Sequence, residues 1–295
     1  MLGTALLLAW TILAPAAHAG SARCFGKPAT ILGTPEGEIL RGTTGNDVIV
    51  GLGGWDILRG RGGRDLLCGG PGGDQLSSGP GRDRLNGGQG RDGLQGGTDG
   101  DVLVGENGRD YLQGDEGNDV ILAGPGNDFL TPYVGNDRLL AGPGDDHLIG
   151  GPGNDFFNGG AGVDLAEFVL VNAVNGIVVD LRISGPQNTN EGIDRLVRVE
   201  NIAGTGWADT ITGNDMANEL EGSSADDVLI GQGGDDILTG GEFGEAGGDR
   251  GDGGPGTDAC YEFEQLEPGT CETIADQPPS RGLSPHSPGQ GITNL

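Results

Sequence analysis

Hydrophobic positions in the middle of the chain are sparse and evenly spaced. Ile49, Leu58, Leu67, Leu76, Leu85 and their successors to Leu148 recur every nine residues. Their immediate neighbours are mixed, with Gln75, Arg84 and His147 on one side and Asn86, Gln95 and Glu167 on the other. Side chains alternate faces along an extended strand, so short strands at these positions would each send one apolar side chain inward. Stacked together, they would make a narrow core of Leu and Ile. The intervening residues are largely Gly, Pro, Asn and Asp, and Gly and Pro lack helix propensity.

Cut every nine residues from Gly42, the chain reads GTTGNDVIV, GLGGWDILR, GRGGRDLLC, GGPGGDQLS, SGPGRDRLN, GGQGRDGLQ, GGTDGDVLV, GENGRDYLQ, GDEGNDVIL, AGPGNDFLT, PYVGNDRLL, AGPGDDHLI, GGPGNDFFN and GGAGVDLAE. These fourteen units run to Glu167 without an insertion. Position 6 is Asp in all fourteen, position 4 is Gly in thirteen (Asp99 is the exception), and position 8 is Ile or Leu in twelve, with Phe157 and Ala166 the others. GTPEGEILR, from Gly33, is a decayed unit with Glu38 in the Asp position. Solvated Gly-Asp turns would explain the residue types but not the fixed spacing.

The register stops after Glu167. FVLVNAVNGIVVDLRISG reads as two β-branched strands with a hairpin turn at Asn175-Gly176, and residues 168–203 read as a non-repeat spacer. A second block follows over 204–261: GTGWADTIT, GNDMANELE, GSSADDVLI and GQGGDDILT, then a four-residue insertion GGEF, then GEAGGDRGD and GGPGTDACY. Its first two units are imperfect, with Trp207 and Met216 in the Gly position and Asn218 in place of Asp. Residues 262–274 read as a closing cap, and 275–295, rich in Pro, Ser and Gly, as a disordered tail.

Composition sharpens the problem. There are 64 Gly, 4% aromatics, and 44 acidic against 16 basic residues, for a net charge of −28. Such a chain carries little apolar mass for a core, and its charge opposes compaction. It is either a disordered acidic chain or one that needs cations to fold. The sign of the charge argues against nucleic acid and anionic membrane surfaces as partners.

The consensus G-G-x-G-x-D-x-(L/I)-x resembles the RTX, or hemolysin-type, calcium-binding repeat. The resemblance implies an all-β fold, a right-handed parallel β-roll: the first six residues of each unit turn and bind calcium, the last three form a strand, and two units make a coil. Here it implies two arrays, 42–167 and 204–261, joined by the 168–203 β spacer and preceded by an N-terminal cap at 20–41. The family places each ion between the turns of one unit and the unit two further on, so paired carboxylates stand eighteen residues apart, as Asp47 with Asp65. The ligands implied in the first array are Asp47, Asp56, Asp65, Asp74, Asp83, Asp92, Asp101, Asp110, Asp119, Asp128, Asp137, Asp146, Asp155 and Asp164, which allow at most twelve such pairs. Those in the second are Asp209, Asp227, Asp236, Asp249 and Asp258.

The residue types suit this chemistry. Glycines at positions 2 and 4 permit the positive φ that lets carbonyl oxygens converge, and Asn at position 5 (Asn46, Asn118, Asn127, Asn154) tolerates left-handed geometry. Carbonyls plus carboxylates suit calcium, whereas Mg²⁺ demands tighter octahedral geometry and keeps its waters. A narrow Leu stack cannot alone offset chain entropy, so multiple calcium ions would have to supply the rest.

The N-terminus reads as an export signal over 1–19: an apolar Ala5–Ala14 run and an Ala17-His18-Ala19 cleavage site, although no Lys or Arg precedes the run. Four Cys in an exported chain suggest two disulfides. Three connectivities are open; Cys24–Cys68 with Cys260–Cys271 is favoured because these pairs sit at opposite ends of the repeats. No C-x-x-C spacing and only three His argue against zinc.

H-E-x-x-H and G-x-S-x-G are absent, His147 falls in a strand position, and no stretch is left for a separate catalytic domain. No long apolar segment remains for membrane insertion. The expectation is therefore a secreted, non-catalytic calcium-binding structural or interaction protein, with a cell-surface or extracellular protein or glycan as partner. The alternatives are an RTX enzyme or enzyme accessory protein with its site in the 168–203 spacer, and a disordered acidic counter-ion binder.

Overall fold

The computed structural model describes residues 22–168, 175–241, 248–263, 265–266, 271 and 273–275. The predicted export signal, the insertion after Gly241 and nearly all of the predicted tail lie outside the described residues. The chain divides into two compact units, Met1–Gly142 and Pro143–Leu295. All regular elements among the described residues are strands.

In the first unit successive strands alternate between two parallel sheets. One column is registered through Ile39, Ile57, Gln75, Gly93, Tyr111 and Phe129, each beside the residue eighteen further on. The other runs through Val48, Leu66, Arg84, Val102, Val120 and Arg138. One coil is therefore two nonapeptides. The inward position is the predicted one: Ile49, Leu58, Leu67, Leu85, Leu103, Leu112 and Ile121 are fully buried. Many strands are twice the expected three residues. Leu66–Pro71 continues into the first positions of the next unit, where Gly70 and Pro71 pair with Gly88 and Gln89.

The start of the unit is tied down covalently. Arg23–Cys24 and Lys27–Pro28 form a small antiparallel pair, and Cys24 is bonded to Cys68 with Cα atoms 5.7 Å apart. Arg84 lies 4.0 Å over the Phe25 ring. The parallel stacking already includes Ile31–Leu32 and Ile39–Arg41, so the decayed Gly33 unit is part of the roll.

The second unit uses the same stacking. One column runs through His147–Gly150, Leu165–Phe168, Asn201–Ala203, Glu219–Glu221, Ile237–Thr239, Ala259–Tyr261 and Thr273–Ala275. Another runs through Val178–Asp180, Thr210–Thr212, Val228–Ile230, Arg250–Asp252 and Gln265–Leu266. Cys260 is bonded to Cys271.

The spacer departs from its sequence reading. The strand expected before the Asn175-Gly176 turn lies outside the described residues; the strand beyond it, Val178–Asp180, pairs in parallel with Thr210–Thr212. Val179 is buried and registered on Ile211, so its β-branched residues serve the stack. TNEGIDRLV, 189–197, is an unrecognised nonapeptide. Its strand Ile193–Val197 pairs in parallel with Phe156–Ala161, and its Leu196 is buried. The antiparallel pair in this region is instead Gln187–Asn188 with Ile193–Val197.

Position 4 shows why glycine recurs. A Cβ on Gly108 would stand 1.5 Å from the Gly90 carbonyl oxygen, and Gly108 has φ +155°. Gly108→Ala is thus expected to destabilise the calcium-loaded roll in equilibrium denaturation. Leu103→Ala, which empties a fully buried site, should cost roughly 2–5 kcal/mol. The exposed, outward Gln75→Ala should stay within about 0.5 kcal/mol of the parent.

Candidate metal centres in the turns

The position-6 aspartates form hydrogen-bonded ladders. In the first unit the Asp47 N–H donates to Asp65 Oδ1 at 2.8 Å, Asp65 to Asp83 at 2.7 Å, and Asp83 to Asp101 at 2.8 Å. The interleaved series Asp56, Asp74, Asp92 and Asp110 does the same at 2.7–2.9 Å. The second unit repeats it from Asp209 to Asp227 and from Asn218 to Asp236, both at 2.8 Å. The pairing eighteen residues apart implied by the family resemblance is thus present as main-chain N–H to carboxylate contacts.

Each ladder uses one carboxylate oxygen. The other, Oδ2, is buried without a hydrogen bond in Asp56, Asp65, Asp74, Asp83, Asp92, Asp101, Asp110, Asp119, Asp164, Asp227, Asp236 and Asp258. Asp128, Asp137, Asp146 and Asp155 occupy equivalent buried places. A charged oxygen held out of water without a partner is strongly unfavourable. Accordingly, burial drives the carboxyls up, against the main-chain N–H bond that lowers them: Asp65 and Asp74 to about 6, Asp92 and Asp137 to about 7, Asp101 and Asp227 to about 8.

The surroundings fit a hard, oxygen-seeking cation. A Cβ on Gly60 would stand 2.3 Å from Asp65 Oδ2 and 2.8 Å from the Ser78 carbonyl oxygen. Glycine at position 1 thus leaves a cradle bounded by carboxylate and carbonyl oxygens, repeated at Gly51 and Gly69. No group of three or more His, Cys, Asp and Glu side chains suited to a metal occurs among the described residues. A cation here would complete its shell from main-chain carbonyls, as calcium does.

Positions 2 and 4 supply the turn. In turns that leave Oδ2 bare, position 2 takes positive φ with or without glycine, as at Gly88 (114°), Arg61 (86°) and Glu106 (75°). Asp99, the exception at position 4, sits at φ 76°, in the left-handed region Asp tolerates. Asn at position 5 works differently from its expected role. Asn46 Oδ1 accepts the Arg64 N–H and Asn118 Oδ1 the Asn136 N–H, linking turns two units apart. Asp145 accepts the Val163 N–H in the same way, which separates it from Asp146.

The structure adds residues that the nine-residue register does not reach. Asp194 takes the Asp role in the 189–197 unit, accepting the Asp155 N–H on Oδ1 and the Thr189 hydroxyl on Oδ2. Glu200 accepts the Asp164 N–H at 2.9 Å. Glu191 buries both carboxylate oxygens without a partner, and burial holds its carboxyl up at about 7. The signal for the unit was present as Gly192, Asp194 and Leu196 at positions 4, 6 and 8, hidden by its isolation. In the second array, Gly240 lies against Asp249 Oδ2 as position-1 glycines do.

The family model for the RTX calcium-binding nonapeptide repeat, in four copies, matches residues 32–67, 69–103, 95–130, 133–166 and 212–242. Together these matches cover more than half of the chain. The chain belongs to the RTX calcium-binding repeat family. No curated protein matches it. Family membership makes calcium the cation that the turns would hold, supplying positive charge at each bare carboxylate oxygen. In this RTX chain the aspartates whose Oδ2 is bare, with the adjoining carbonyls, are the residues placed to hold it.

His147 and Glu167 are paired at 2.7 Å on the outward face. A cavity of about 470 Å³ beside the former spacer is lined by Asn175, Gly176, Val178, Asn190, Trp207, Ala208, Ala225 and Asp226, with Asp226 its one titratable side chain.

Because the aspartate pKa values are raised on folding, stability from the neutral carboxyls is fully present below about pH 4 and lost as pH rises through the folded values of about 6 to 8. In chelator, far-ultraviolet circular dichroism should show more strand signal near pH 4–5 than at pH 8. Added calcium should restore the signal at pH 8.

Proposed function

We propose that this RTX chain is an exported, non-catalytic protein that folds as it takes up multiple calcium ions and serves as an extracellular structural or interaction module. The observation that carries the calcium part is the buried, unpartnered Oδ2 repeated along the turns. A net charge of −28 points the same way, because the folded chain concentrates carboxylates that only bound cations offset. Folding and binding are then one process, as in other metal-dependent folds.

Export is supported by the apolar Ala5–Ala14 run with Ala17-His18-Ala19, and by two disulfides, which persist in oxidising compartments. A non-catalytic role is supported by the absence of H-E-x-x-H and G-x-S-x-G. Among the described residues, the lining of the cavity near Trp207 pairs no nucleophile with a base. The exposed outward rows are mixed in character, which suits contact with a protein or glycan rather than insertion into lipid.

Titrating calcium into the metal-free protein at neutral pH, followed by circular dichroism, is expected to produce strand signal by roughly millimolar calcium, the range of extracellular modules. Magnesium at equal concentration should not. Spectra that stay unchanged throughout, or respond equally to both cations, would count against the reading.

A further inference from the structure

Not all turns leave a carboxylate oxygen bare. Among the described residues four close on themselves through the same two contacts, and in one more, by a different contact, the Thr189 hydroxyl donates to Asp194 Oδ2. At position 2, Thr43 N–H donates to Asp47 Oδ2 at 2.7 Å, Thr205 N–H to Asp209 Oδ2 at 2.6 Å, and Asn214 N–H to Asn218 Oδ1 at 2.8 Å. Thr34 N–H does the same to Glu38 Oε1. The position-2 side chain then accepts the N–H of position 4: Glu36 to Thr34, Gly45 to Thr43, Trp207 to Thr205, and Met216 to Asn214, at 2.8–3.3 Å. These are the side-chain turns that Ser, Thr and Asn form with the main chain two residues on.

The open turns use a different network. Position 2 has positive φ, as at Leu52, Arg61 and Gln232. The position-4 N–H goes up the stack instead, as from Gly63 to the Pro80 carbonyl at 3.0 Å and Gly72 to the Gln89 carbonyl at 2.7 Å. Nothing is left to satisfy Oδ2 of Asp56, Asp65, Asp227 or Asp236.

These four closed turns are not scattered. They are the two units of residues 33–50 and the two of residues 204–221, which is the first full coil of each array. We propose that these two coils are metal-free starter coils, whose position-6 side chains bind no calcium because a main-chain N–H already occupies the oxygen that a cation would need. The proposal rests on calcium filling the open turns.

Three further observations agree. Asn218 carries no charge yet completes its turn, with Nδ2 donating to the Glu200 carbonyl at 2.6 Å. Trp207 and Met216 at position 4 are tolerated because a closed turn does not need glycine there. A Cβ on Gly45 would meet only Thr43 Oγ1 at 3.7 Å, against 1.5 Å from a carbonyl at Gly108. Each starter coil also offers its position-6 N–H groups to the next coil: Glu38 to Asp56, Asp47 to Asp65, Asp209 to Asp227, and Asn218 to Asp236. It thus presents a finished template on which the first calcium-dependent turns can order.

Calcium bound to the full chain, counted by native mass spectrometry, tests this. D47N/D209N should hold as many ions as the parent, with unchanged affinity. D65N/D227N, altered in the open turns directly above, should lose at least two. Equal losses in the two double variants would overturn the starter coils. Equal retention by both would also overturn them, since open and closed turns would then not differ. A parent chain that binds no calcium would sink the proposed function itself, and this inference with it.

Discussion

The structure depends on one shared carboxylate. Open-turn aspartates such as Asp65, Asp83 and Asp101 accept the main-chain N–H two units back on Oδ1 and keep Oδ2 buried without a hydrogen bond. The first contact sets the eighteen-residue register of the roll. The second leaves a negative charge that neither water nor protein satisfies. Register and charge therefore come from the same side chain and cannot be had separately. Glycine at position 1 follows from this, because a side chain there would fill the space next to Oδ2. So does positive φ at position 2, which turns away the one N–H that could have closed the site.

The apolar stack is subordinate to that arrangement. One buried side chain per nonapeptide, such as Leu85 or Leu103, is set against the ordering of nine residues of main chain. Covalent ties act where the stack has least support: Cys24–Cys68 ties the opening antiparallel pair to the roll, and Cys260–Cys271 joins residues near the last described strands.

What the sequence made legible was whatever repeats in phase. Asp at position 6 and Leu at position 8 follow from spacing, and the eighteen-residue pairing from the family resemblance, because a roll leaves the same residue type in the same place on every coil. What it hid was whatever the roll does out of phase. TNEGIDRLV keeps Gly192, Asp194 and Leu196 in their places but stands alone, so no neighbouring unit marks its register. Its Asp194 stacks on Asp155 across thirty-nine residues, a separation that no fixed period contains. Trp207, Met216 and Asn218 looked like decay because the consensus describes open turns, and a closed turn obeys a different hydrogen-bond scheme with different steric needs.

The same logic decides where the chain tolerates extra length. The Asp227 N–H reaches Asp249 Oδ1, and Asp236 reaches Asp258, across twenty-two residues rather than eighteen. The strands Val228–Ile230 and Arg250–Asp252 nonetheless stay in register. The ladder thus holds on both sides of the four additional residues. Residues inserted in a strand would shift the apolar side chain to the outward face and separate the aspartate from the N–H it must accept. A β-roll of this kind is thus permissive in turn length and strict in the distance from position 6 to position 8. That short segment joins the carboxylate that gathers charge to the leucine that stacks.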